Sequence, residues 1–334
     1  MNASKSDNIY LNSTINAGSE SILASSSINR VQEILSKPND YELTIARFSI
    51  PISTIPMMFF KENFWSLTLK RDTVIQTKYL QFVPNTTETG RDAIYTFQEF
   101  IDIINNAFSS AYTDLVAAVL PTVLSSDFPP FLTFDPVTKL ITMNVQQNYL
   151  ADNIKIYFNR ELHNLMSSFF TYFNSAVGEL TYEIIVADRI TNTSSLNGQL
   201  SYEMVQDYKT IASWSMLQSI RIESSSIPIH RELEGAQQNI TSSLLTDFNV
   251  PSGEYDRSDL IFFPQGPLRF LDLNSAYPLN QIDFDILYET KDGERIRHRL
   301  NPGESLNIKF YFKRKSEKRL TEYIDSLILE DEDE

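Results

Sequence analysis

The chain has 334 residues, a mass of 38.4 kDa, 42% hydrophobic content and no cysteine; this suffices for one large domain or two average ones and excludes wholesale disorder, disulfides, thiolate metal sites and a cysteine nucleophile. Its 28 Lys and Arg against 43 Asp and Glu leave a formal charge of -15, so the surface as a whole repels phosphate backbones. No run reaches the roughly 18 apolar residues of a membrane-spanning helix, and the opening residues are polar, which reads as a soluble, unprocessed chain.

Residues 1–40 are rich in Ser and Asn, with apolar alternation at Ile9, Leu11 and Ile15, and read as an extended N-terminal arm with weak strand content. From Tyr41 a period of two sets Tyr41, Leu43 and Ile45 against Glu42, Thr44 and Ala46, the pattern of a half-buried strand, ended by Pro51 and Pro56. Residues 64–71 and 73–82 follow as a hairpin with Arg71 and Asp72 at its corner. The period then changes. Phe97, Phe100, Ile101, Ile104 and Phe108 fall three and four apart, which predicts a helix over 97–119 closed by Pro121.

Residues 131–135, 139–145 and 154–158 read as strands. Asn159 then caps a second helix whose stripe is Leu162, Leu165, Met166, Phe169, Phe170 and Phe173, expected to be core, so that Phe170→Ala should cost about 3 to 5 kcal/mol. Residues 174–313 return to strands, including 180–188, 200–206 and 215–225, without the regular βαβ alternation of a parallel sheet. From Gln281 to Phe312 the alternation is nearly strict and predicts a three-stranded antiparallel meander with one face buried. A three-residue loop, Lys291-Asp292-Gly293 with Gly293 left-handed, pairs Tyr288 with Ile296, Ile286 with His298 and Phe284 with Leu300, keeping Arg297 and Arg299 off the apolar face. The same register sets Glu289 opposite Arg295 and Asp285 opposite Arg299, so Asp283 and Asp285 read as strand-surface carboxylates in cross-strand ion pairs rather than a general acid and base. Asn301-Pro302-Gly303 makes the next turn.

The glycines, nine in all, are scattered, so neither a dinucleotide fingerprint nor a phosphate-cradling loop can form. The three histidines, His163, His230 and His298, are no closer than 67 residues apart, which excludes a local HExxH zinc site and leaves a triad only to distant segments. His298 on the apolar face of the meander reads as a core or interface histidine. No catalytic, cofactor or metal residue is assigned.

The run RSDLIFFPQGPLRFLDLNSAYPLNQIDFDILYETKDGERIRHRLNPGESLNIKFYFKRK (257–315) resembles the C-terminal region of the penton, or minor capsid, proteins of virophages and Polinton-like viruses. DYELTIARFSIPISTIPMMF (40–59), FQEFIDIINNAF (97–108), PPFLTFDPVTKLITM (129–143) and IYFNRELHNLM (156–166) are similar to further parts of that pattern, in the same order. The resemblance implies a jelly-roll β-sandwich with helical insertions, a vertex-forming homopentamer without enzymatic activity, located in the virion, made inside the host cell and contacting the major capsid protein. Other readings are a jelly-roll subunit at hexavalent positions, a carbohydrate- or receptor-binding spike module, and a β-sandwich hydrolase.

The expected organisation is an arm over 1–40, a jelly-roll domain over 41–315 with a helix-bearing middle at about 91–175, and a short amphipathic helix with an acidic tail over 316–334. Residues 313–319 carry five cations in seven positions and almost no aromatics, so any nucleic-acid contact there is electrostatic. Leu320, Tyr323, Ile324, Leu327 and Ile328 form the apolar stripe of the terminal helix.

Overall fold

Two segments distant in sequence, Met1–Ile55 and Leu217–Glu334, fold into one unit, and Pro56–Met216 folds into another. The computed structural model describes residues 8–60, 64–82, 92–174, 180–186, 192–196, 198–230, 232–234, 240–249, 259–262 and 269–315.

The first unit holds eight principal strands: β1 (Asn8–Asn16), β2 (Ser25–Asn29), β3 (Tyr41–Pro51), β4 (Leu217–Glu223), β5 (Leu244–Phe248), β6 (Asp259–Phe262), β7 (Gln281–Thr290) and β8 (Ser305–Arg314). They pair antiparallel in the orders β1-β8-β3-β6 and β2-β7-β4-β5. Apart from β4 and β5, which are neighbours in one sheet, successive strands thus cross between two four-stranded sheets, which is the jelly-roll topology. Alternation builds the core: Leu306, Ile308, Phe310 and Phe312 of β8 and Ile282, Phe284, Ile286 and Tyr288 of β7 are all buried. Phe48 of β3 packs on Phe248 of β5 with ring centroids 5.1 Å apart, and Phe248 stacks on Phe262 of β6 at 4.7 Å.

Several expectations shift here. The described part of the arm supplies β1 and β2, with β1 paired to β8 over its full length, Asn8 with Lys313 through Asn16 with Ser305. β3 is buried on both faces at its start, where Glu42 and Thr44 are enclosed as well as Leu43 and Ile45, and it runs inside its sheet with β8 on one side and Leu271–Asp272 on the other.

The meander is only a hairpin. Tyr288 pairs with Ile296 and Glu289 with Arg295, as the three-residue loop requires, and Gly293 has φ +79°. Beyond Leu287–Arg297, however, the N-terminal segment takes the partner positions: Phe284 faces Ser26, Asp285 faces Ser25, and Leu300 pairs with Ile22. Ala24 threads the junction, donating to His298 O and accepting from Ile286 N. After the turn at Gly303, φ +81°, the third strand, β8, enters the opposite sheet.

Among the described residues the second unit carries two larger sheets, besides a pairing of Met58–Phe60 with Asp92–Ile94. One has the strand order Thr171–Phe173, Tyr182–Ile184, Ile154–Phe158, Ser66–Arg71, Val74–Tyr79, and the other Asn192–Leu196, Gln199–Val205, Ile141–Gln146, Phe131–Phe134. The hairpin turns at Asp72, φ +50°, with Arg71 paired to Val74. Helix α1 (Phe97–Ala118) starts where the Thr96 side chain accepts from Glu99 N while Glu99 Oε2 accepts from Tyr95 N, a reciprocal cap. Its stripe is buried, with Phe100 edge-on to Trp214 at 4.9 Å. On its flank Asn105 exchanges two hydrogen bonds with Leu132, satisfying an edge strand as another strand would.

Asn159 caps the later helix as expected, accepting from Leu162 N, but this helix, α2 (Arg160–Leu165), lasts only six residues. The chain leaves helical geometry at Met166. Leu162, Met166 and Phe169 remain buried, whereas Phe170 is 40% exposed and Phe173, on a strand, is more exposed still. The expected core stripe therefore stops at Phe169, and the large loss expected for Phe170→Ala does not follow.

Candidate functional site

The first unit contains two polar clusters that the strand pattern alone does not explain. His298 follows the β7 hairpin and is almost fully enclosed. Its Nε2 lies 3.2 Å from Thr54 Oγ1, and its Nδ1 meets the Tyr288 hydroxyl. That hydroxyl donates to Thr54 O at 2.7 Å, so Nδ1 is the donor to the tyrosine oxygen. Thr54 Oγ1 in turn reaches Pro51 O at 2.7 Å. The His298 imidazole ties the turn after β3 to β7 through Thr54 and Tyr288, while its backbone O accepts from Ala24 N of the N-terminal segment. Burial pushes its pKa down to about 3, so the ring is neutral at physiological pH. The core role expected for His298 is what its surroundings describe.

Asp283, on the outer side of β7, makes no ion pair with arginine among the described residues. Its Oδ1 accepts from Ser224 Oγ at 2.7 Å, Ser225 N at 3.0 Å, Ser226 N at 2.8 Å and Ser226 Oγ at 2.7 Å, while Oδ2 accepts from Ser225 Oγ. Desolvation raises its pKa, but these serine donors outweigh it and hold the carboxyl at about 2. The serine triplet that closes β4 was the sequence signal for this cradle. The arginine pairing also differs from expectation. Asp285 faces Ser25 rather than Arg299, and Glu289 Oε2 accepts from Arg221 Nη1 at 3.1 Å even though Arg295 is its cross-strand neighbour. Arg221 also reaches Glu223 at 3.0 Å, and Arg299 Nη2 donates to Ser21 O at 3.3 Å.

In the second unit His163 stacks on Tyr182 at 3.7 Å with parallel rings, and its Nε2 lies 3.2 Å from Thr171 Oγ1. Burial lowers its pKa. Neither His163 nor His298 touches a carboxylate, and His230 is exposed, so a triad is not assembled by these contacts. Phe170, Tyr172 and Phe173 are exposed beside a shallow hollow lined by Ser168, Phe169, Ile184, Met204 and Asp207. Among the described residues no cluster of three His, Asp or Glu could hold a metal, and no helix is long and apolar enough to cross a membrane. Of the basic run, Lys313 lies over the Phe270 ring at 5.0 Å and Lys315 pairs with Asp272 at 2.8 Å. Arg314 ends β8, and residues 316–319 and the amphipathic stretch Leu320 to Ile328 fall outside the described residues.

Comparison with known proteins places this geometry. The sequence profile of the family described as Sputnik minor capsid protein V18/19 matches residues 9–314. A curated relative, structural protein V19 of Sputnik virophage, is 26% identical over 132 residues, a match covering 37% of this chain and 59% of the relative. A chain of the Sputnik virophage particle, solved by cryo-electron microscopy at 3.5 Å, superposes with a TM-score of 0.74 at 21% identity, covering 94% of this chain and 99% of that one. The mavirus penton protein superposes with a TM-score of 0.69 at 17% identity, covering 92% and 99%. The chain belongs to the Sputnik V18/19 family of minor capsid proteins.

Proposed function

We propose, from that membership, that this chain is the penton subunit of an icosahedral capsid, five copies closing each vertex, and that it acts by assembly rather than by catalysis. The observation that carries the reading is the extent of the family match. Residues 9–314 take in both the jelly roll and the unit Pro56–Met216 set between β3 and β4, so the chain resembles these capsid proteins as a whole and not through a generic sandwich alone. The fold likeness to the mavirus penton protein supports the same reading. Its partners are then other copies of itself and the major capsid protein, within a virion assembled from chains made inside the host cell. Any nucleic-acid contact through 313–319 is electrostatic.

Native mass spectrometry and sedimentation of the full chain test this. A closed ring of five 38.4 kDa chains is expected. A ring of three supports the hexavalent reading instead, and a chain that stays monomeric with and without the major capsid protein overturns both.

A further inference from the structure

The nine residues of β1, Asn8–Asn16, form an end strand of the β1-β8-β3-β6 sheet. Ala17 N donates to Glu304 O at 2.9 Å, one step beyond the pairing of Asn16 with Ser305. Antiparallel partners alternate between bonded and non-bonded pairs, so Ile9, Leu11, Ser13 and Ile15 spend their N–H and C=O groups on β8. Asn8, Tyr10, Asn12, Thr14 and Asn16 turn theirs to the opposite side, where no strand pairs among the described residues, and all five are exposed. A bare edge of this kind templates pairing with another chain, and proteins ordinarily blunt it with charge, proline, a bulge or short length. β1 has none of these: NIYLNSTIN carries no charged residue and no proline, and its register with β8 is unbroken. The other end strand of the sheet, β6, has four residues and opens on Asp259.

The strand is also complementary to itself. Turned about Asn12, it sets Asn8 against Asn16, Tyr10 against Thr14 and Asn12 against its own copy on the exposed face, and Ile9 against Ile15 and Leu11 against Ser13 on the face toward the core. In this register the five outward residues oppose one another, and every N–H and C=O they present finds a partner. A slip of one residue sets each of them against a residue already bonded to β8, and a slip of two leaves an end unpaired. An amide side chain both donates and accepts, so Asn12 suits its own copy where a charged residue would repel it. Lys309, opposite Asn12 on β8 with its Nζ 4.7 Å over the Tyr10 ring, comes no nearer its counterpart than three strand spacings. That is about 14 Å, beyond the screening length of about 10 Å at 0.1 M salt.

We propose that β1 of one copy pairs antiparallel with β1 of a second copy about a two-fold axis at Asn12, joining their two sheets into one and covering the edge. Main-chain hydrogen bonds supply the attraction and the alternation of side chains supplies the register. The contact is isologous and closes on itself. It does not rest on the reading of the chain as a vertex subunit: copies pair as dimers, or closed rings pair two by two.

The chain has no cysteine of its own, so an introduced thiol reports the register. Oxidised with diamide, the full chain carrying Asn12→Cys should cross-link into covalent dimers, because its two thiols face each other across the axis. Thr14→Cys should not: its counterpart lies four residues along the strand, about 13 Å away, against a Cα separation of about 7 Å at most for a disulfide. In sedimentation velocity, with circular dichroism to confirm the fold, Asn12→Lys and Asn12→Asp should each pair at least about tenfold more weakly than the parent, since like charges meet at the axis. An equimolar mixture of the two should recover as mixed pairs, identified by native mass. Cross-linking at neither position, or equally at both, overturns the proposal, as do folded charge variants that pair undiminished. Parent rings of five without the Asn12→Cys cross-link overturn the β1 pairing and leave the vertex reading standing. The cross-link in a chain that forms no ring, even with the major capsid protein present, supports the pairing and overturns the vertex.

Discussion

The rings of Phe284 and Phe310 meet across the sandwich with centroids 5.6 Å apart and planes at 56°, one facing inward from β7 and the other from β8. Each lies in a strand interior and each is buried on every side. Replacing Phe310 with Ala removes a ring that neighbours in both sheets have closed around, and the loss should be about 3 to 5 kcal/mol. Urea denaturation followed by tryptophan fluorescence measures it, and a loss below about 1 kcal/mol would contradict the packing described.

His298 predicts how stability depends on pH. Its pKa is about 3 in the folded chain against about 6.5 when exposed, so between these values the unfolded chain binds a proton that the folded one does not. The stability contribution is therefore complete above about pH 6.5 and is lost as pH falls toward 3, amounting to a few kcal/mol. Between pH 6.5 and 5, above the range where carboxylates titrate, the urea midpoint of the parent should fall more steeply than that of His298→Gln, which is lower throughout and keeps only the slope from His163. Parallel curves for the two proteins would remove His298 as the cause.

Asp283 acts in the opposite chemical sense and in a lower window. Its carboxyl, held at about 2 against an ordinary 3.8, gives stability that is present above about pH 4 and lost as pH drops through 2. At neutral pH, Asp283→Ala leaves five serine donors without their acceptor and should cost about 1 to 3 kcal/mol. Asp283→Asn, which keeps one carbonyl oxygen, should cost less. Thermal denaturation of the three proteins side by side ranks them.

In the second unit Phe169 is buried and Phe170 is 40% exposed. Phe169→Ala should cost about 3 kcal/mol or more, and Phe170→Ala less than about 1 kcal/mol. Equal losses in chemical denaturation would mean that the chain does not leave the helix at Met166.

Two glycines separate backbone strain from space. A side chain at Gly18 or at Gly293 would meet no atom within 4 Å, but only Gly293 has a left-handed φ, +79°. Gly293→Ala should lose about 1 kcal/mol while Gly18→Ala is close to neutral. The melting temperatures of the two variants decide.

The local elements were legible because each is set by a short stretch of chain. The stripe of α1 from Phe97 to Phe108, the Asn159 cap, the 71–74 hairpin corner and the left-handed Gly293 follow from side-chain period and turn chemistry within a few residues. The hairpin register followed from keeping Arg297 off the face of Tyr288, which pairs with Ile296. The absence of closely spaced glycines removed whole classes of nucleotide chemistry before any fold was known.

What the tertiary structure decided are the partners that lie far off in sequence. A strand's alternation says which face is apolar but not which strand lies beside it, so residues 296–300 read as the middle strand between β7 and β8, although the N-terminal segment pairs with β7 and with Leu300 and β8 lies in the other sheet. For the same reason residues 8–29 read as an arm: alone they bury little, and they become strands only where β8 and β7 offer open edges. The charge of a face is likewise a sum over strands. Arg47 and Lys309 lie more than two hundred residues apart in the chain, and only the pairing of β3 with β8 brings them side by side.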